Sequence, residues 1–118
     1  MSEPTTIVYR IVEVAKDGSF LTLFHGIKGS RRLPRMLWLR AENKDVSYGR
    51  GSPAHVSGFN VIRKLEDATR YLARFNRGKT KRDLVIVRCL ARGLRPKPNA
   101  KAPVLLADEL FIIEEVLP

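Results

Sequence analysis

The chain is poor in the residues that build covalent or metal-held frameworks. Cysteine occurs once, at Cys89, and histidine twice, at His25 and His55. One thiol excludes a disulfide within the chain and a thiolate zinc site. Two imidazoles exclude a site of three histidines, so no metal is expected. Long apolar runs are missing as well, and none approaches the roughly 20 residues that cross a bilayer as a helix. The opening Met1-Ser2-Glu3-Pro4 is polar and acidic, unlike a secretory leader. A cytoplasmic protein with no membrane partner is expected. What remains is an ordinary globular balance, 44% hydrophobic and 29% charged in 118 residues. A chain of that length buries roughly two-thirds of its unfolded surface, enough for one domain over residues 1–118.

Acids are scarce beside bases, 12 against 22, which leaves a net charge of +10. The imbalance is concentrated. Residues 28–101 hold 20 of the bases and five of the acids, a net of +15, whereas the ends are acidic. Such a middle attracts polyanions, of which nucleic acid is the commonest. Arginine outnumbers lysine, and its planar fork suits phosphate and carboxylate alike. An acidic protein surface would be met by the same residues.

Residues 6–14 (TIVYRIVEV) are apolar on nearly both faces, as in a central strand. Asp17-Gly18 is a hairpin signal, and residues 20–25 (FLTLFH) read as the returning strand. Residues 35–41 around Trp38 form a short apolar piece, a strand or one helical turn. Residues 56–62 read as a strand interrupted at Gly58. The clearest helix spans 65–77: Leu65, Ala68, Leu72 and Phe75 recur at helical spacing with Tyr71 beside them. Glu66 and Asp67 suit its first turn, Arg74 and Arg77 its last, and Gly78 its stop. Residues 84–91 read as a buried strand, 93–103 as an irregular proline-containing loop, and 104–107 and 109–116 as strands. The expectation is an α+β fold, a mostly antiparallel sheet of about six strands with one main helix on one face.

Three basic loops are candidate contacts. The first, 26–35, offers Lys28, Arg31, Arg32 and Arg35 beside two glycines, without the order of a P-loop. The second, 77–82, offers Arg77, Lys79, Lys81 and Arg82. The third, 92–101, offers Arg95 and Lys97 between prolines that hold it extended. Arg70 and Arg74 share one side of the helix with Arg77. Aromatics among bases are the composition of single-strand stacking surfaces. Of Trp38, Tyr48, Phe59 and Tyr71, the exposed stacker expected is Tyr48, while Phe59 and Tyr71 read as core. Cys89 reads as an inert packed residue.

A second class of function comes from the order of three short segments. LFHG (23–26), GFNVIRKLEDATRYL (58–72) and ELFII (109–113) resemble, in that order, the ADP-ribosyltransferase superfamily. The resemblance implies NAD as cofactor, His25 and Gly26 on the nicotinamide-side ribose and carboxamide, and Glu109 as the carboxylate that orients a ribose hydroxyl. It leaves Phe59 or Tyr48 for the ring wall, since Asn60 stands at the family's tyrosine. The first reading needs no cofactor and no chemistry: a small basic domain that contacts nucleic acid or another polyanion. A protein-binding adaptor or inhibitor would use the same bases. Oligomeric state is not legible.

Overall fold

The computed structural model describes residues 4–22, 32–41, 45–46, 55–56, 58–76, 83–98 and 103–116. It is an α+β fold, a mostly antiparallel sheet with one helix packed against it. Six strands have three residues or more: β1 (Thr6–Val14), β4 (Trp38–Arg40), β7 (Phe59–Ile62), β8 (Leu84–Arg92), β10 (Val104–Ala107) and β11 (Glu109–Glu115). Five two-residue pieces complete the count among the described residues: β2 (Phe20–Leu21), β3 (Arg32–Leu33), β5 (Asp45–Val46), β6 (His55–Val56) and β9 (Arg95–Pro96). Nine strands join one sheet in the order β4-β11-β8-β1-β7-β10-β9, with β2 and β3 attached beside β1, and β5 and β6 pair separately.

The Asp17-Gly18 turn forms as expected. Gly18 adopts φ 86°, and Asp17 Oδ1 accepts the Ser19 amide at 3.0 Å. Val14 then pairs with Phe20 and Glu13 with Leu21. Of the returning strand expected over 20–25, Phe20 and Leu21 pair with β1 among the described residues, and 23–25 lie outside them. The stretch 93–103 is less irregular than expected, because Arg95 and Pro96 pair with Leu106 and Leu105. Proline is tolerated there because β9 is, among the described residues, an edge strand paired on one side only, by β10.

The central feature is a bend. Strands β10 and β11 are separated only by Asp108, yet β10 pairs with β7 while β11 pairs with β8 and β4. Since β1 touches both β7 and β8, the run 104–115 brings the sheet round on itself. Asp108 is fastened on every side. Its amide donates to the Arg92 carbonyl at 3.0 Å, its carbonyl accepts from Ala41 N–H at 2.9 Å, and Arg95 donates twice to Oδ1, at 3.3 and 3.0 Å. Gly93 lies beside it at φ 69°, where a Cβ would stand 2.5 Å from Asp108 Oδ2, so only glycine fits.

The bent sheet encloses one core. Val8 and Val12 of β1, Val87, Cys89 and Ala91 of β8, Leu110 and Ile112 of β11 and Phe59 and Val61 of β7 point into it. Alternate residues point the other way. Tyr9 and Ile11 of β1 and Ile86 of β8 meet Ala68, Tyr71 and Leu72 of the helix α1 (Leu65–Asn76). Glu66 and Asp67 lie in its first turn and Arg74 in its last, complementing the backbone dipole. The buried row of α1 is narrower than the sequence implies. Contact with the sheet begins at Ala68, and Leu65, one turn earlier, is exposed.

Candidate nucleic-acid interface

Helix α1 covers only part of the sheet's outer face. Toward the start of β1 that face lies beyond α1, and the register sets a row of apolar side chains across it, of which Leu90, Phe111 and Trp38 are half-buried. Ile7 of β1 stands opposite Leu90 of β8, Leu90 opposite Phe111 of β11, and Phe111 opposite Trp38 of β4. Directly opposed residues in a sheet point the same way, so the four form one line across four strands. At ~4.8 Å between strands the line is roughly 14 Å long. None of the four belongs to the cluster under α1, and Ile7 is 52% exposed.

The Trp38 end is specially built. The Trp38 and Phe111 ring centres are 5.5 Å apart and tilted by 52°. The guanidinium carbon of Arg92 lies 3.8 Å above the Trp38 ring, close enough for a cation–π contact. Arg92 Nε is buried without a hydrogen-bond partner among the described residues. A charged row runs beside the apolar one: Glu109 stands opposite both Arg92 and Arg40, and Arg40 is exposed. On the other side Arg88 pairs with Glu114 at 2.6 Å. This part of the outer face therefore presents two rings, an arginine lying over one of them, and further arginines at the rim.

The structure describes only some of the residues singled out in the sequence. His25, Gly26, Lys28, Arg31, Tyr48, Arg77, Lys79, Lys81 and Arg82 lie outside the described residues. Several described bases already have protein partners. Arg32 meets Asp17 at 3.3 Å, Arg70 meets Asp67 at 3.8 Å, and Arg95 holds Asp108. Lys97 donates to Asn60 Oδ1 at 3.0 Å, and partial desolvation lowers its pKa. Arg35 lies over the Phe20 ring at 4.1 Å, and Arg74 is exposed on α1. Of the three constellations resembling the ADP-ribosyltransferases, the structure describes Phe59 and Glu109. Phe59 is 5% exposed and faces the core, with the Arg10 guanidinium 5.6 Å from its ring. It is core, as its apolar strand implies, and not placed as a wall on which a nicotinamide stacks. Glu109 is half-buried at the start of β11 on the outer face.

Arg10 itself points to the inner side, where β1 and β7 share only the Tyr9–Ile62 pair. Its guanidinium donates to the Asn60 carbonyl at 3.0 Å, supplying a bond the splayed strands do not make. Desolvation lowers its pKa to about 10, while burial pushes the neighbouring Cys89 thiol up to about 12. Both groups serve the interior.

Sequence reasoning missed Phe111 and Arg40 as members of a surface and placed Arg92 in the basic loop 92–101, where the structure has it at the end of β8. Each lies in a strand whose apolar residues alternate without a polar face, and only the pairing register reveals which of them the helix leaves bare. Trp38 carried the one available signal, an aromatic among bases. No family model matches the chain, and no curated protein or solved structure matches it.

Proposed function

We propose that this chain is a basic domain that contacts single-stranded nucleic acid without chemistry of its own, with bases laid on the open sheet face and phosphates met by arginines. The observation that carries this reading is the Arg92–Trp38–Phe111 arrangement on a face that α1 leaves bare. Aromatic rings at a protein surface offer π-faces to any unpaired base, and each stacked base contributes about 1–3 kcal/mol. A guanidinium resting on a ring keeps its N–H groups in one plane, ready for phosphate oxygens. The line from Ile7 to Trp38 has room for two or three bases. A duplex hides its base faces, so the arrangement favours single strands. The net charge of +10 draws any such strand in.

Trp38 is the sole tryptophan, so its fluorescence reports on this face alone. Titration with single-stranded oligonucleotides is expected to quench it, and an equal length of duplex or a base-free polyanion to leave it largely unchanged. Trp38→Phe should abolish the signal while keeping a weaker ring in place, with binding then read by anisotropy. Equal affinity for the base-free polyanion, with no quenching by single strands, would replace this reading with charge-only binding. Quenching by an acidic peptide alone would point to a protein partner.

A further inference from the structure

Glu109 stands on the same face as Phe111, two residues along β11, and in register between Arg92 and Arg40. A carboxylate flanked by two arginines is ordinarily bonded by one of them. Here Arg92 is turned onto the Trp38 ring and Arg40 is exposed. Among the described residues the Glu109 side chain has neither hydrogen bond nor ion pair. The open face thus holds an acceptor-only group beside its rings.

We infer that Glu109 selects the base that stacks there, favouring guanine; the inference rests on the single-strand reading above. An ionised carboxylate has two acceptor oxygens and no donor. A base stacked on the Phe111 ring beside Trp38 turns its edge toward the neighbouring row, where Glu109 sits. Guanine alone presents two adjacent donors, the ring N1–H and the exocyclic N2 amino group, spaced to meet both oxygens. Cytosine and adenine each offer one amino group. Thymine and uracil offer a single ring N–H between two carbonyls, whose oxygens repel the carboxylate. The same negative charge repels phosphate, so the base edge and not the backbone is turned toward Glu109. A good two-point contact to a base edge discriminates by about tenfold or more.

The test is a set of single-stranded thymine oligomers carrying one internal guanine, inosine, cytosine or adenine, bound to the intact chain and read by Trp38 quenching. Guanine should bind about tenfold tighter than all-thymine, with cytosine and adenine between. Inosine keeps N1–H but lacks the amino group, so it should lose most of the gain, and this arm needs no variant. Glu109→Gln, which replaces one acceptor by a donor, should bring the guanine and thymine affinities together. Binding with equal affinity across the set, or a guanine preference that survives in Glu109→Gln, overturns the base reading and leaves single-strand binding standing. No binding of any oligomer overturns both.

Discussion

Cys89 and Arg10 share the interior and are pushed in opposite directions by one cause. Loss of water disfavours whichever form is charged, so the thiol rises to about 12 and the guanidinium falls to about 10. The consequences for stability differ in sign. An unfolded thiol loses its proton from about pH 8.5 upward, while the native one keeps it. The native state then holds more protons than the unfolded, and stability falls as pH rises from there toward 12. For Arg10 the native state loses its proton first, above pH 10, and stability is regained over that upper range. Between about pH 8.5 and 10 only the cysteine acts of the two. Urea unfolding is expected to show stability declining across that window, with a shallower decline in Cys89→Ala. Iodoacetamide at pH 8 should leave the native thiol unmodified and label it fully once the chain is unfolded. Labelling at the rate of a free thiol would mean that Cys89 is not enclosed as described.

At the scale of elements, local signals were legible and pairing was not. Asp17-Gly18 announces its turn because φ 86° is a conformation glycine adopts without strain. Helix α1 announces itself through Ala68, Tyr71 and Leu72 and through acids at its start. The two-faced apolar strands β1 and β8 are equally plain, and they lie side by side at the middle of the sheet. The bend at Asp108 is invisible because it depends on Arg95, Gly93 and Ala41, contributed by other segments. Pro96 hides β9 for the opposite reason: proline reads as a breaker unless the strand is known to be an edge. The open face shares this difficulty, since Ile7, Leu90, Phe111 and Trp38 are remote in sequence and meet only through register. Leucines that look alike in sequence therefore differ in weight. Leu110 is fully buried on β11. Leu110→Ala should cost about 2–5 kcal/mol, from lost transfer energy and the cavity left behind. Leu65→Ala, on the exposed first turn of α1, should stay within about 0.5 kcal/mol. Chemical denaturation of both variants checks the contrast, and equal losses would place Leu65 in the core after all.

For the whole molecule the question is which charges act on a bound strand. A uniform cloud of +10 would make every arginine equivalent. The described bases are not equivalent, since Arg32 and Arg70 already face Asp17 and Asp67 while Arg40 and Arg92 border the rings without an ion pair among the described residues. Phosphate contacts and stacking also leave different signatures. Each phosphate neutralised releases counterions, so the logarithm of affinity falls with the logarithm of salt by about 0.7 per contact on a single strand. Stacking releases none and survives at high salt. Arg40→Gln with Arg92→Gln should therefore flatten the salt slope by about 1.4. Arg32→Gln with Arg70→Gln should flatten it by less than half as much, although the same charge is removed. Trp38→Ala should leave the slope nearly unchanged and lower affinity at every salt concentration, by roughly fivefold to a hundredfold for one lost stack. Anisotropy titrations from low salt to near molar separate the two terms. If both arginine pairs flatten the slope equally, and Trp38→Ala has no effect at high salt, the strand is held by the general field and not by the open sheet face.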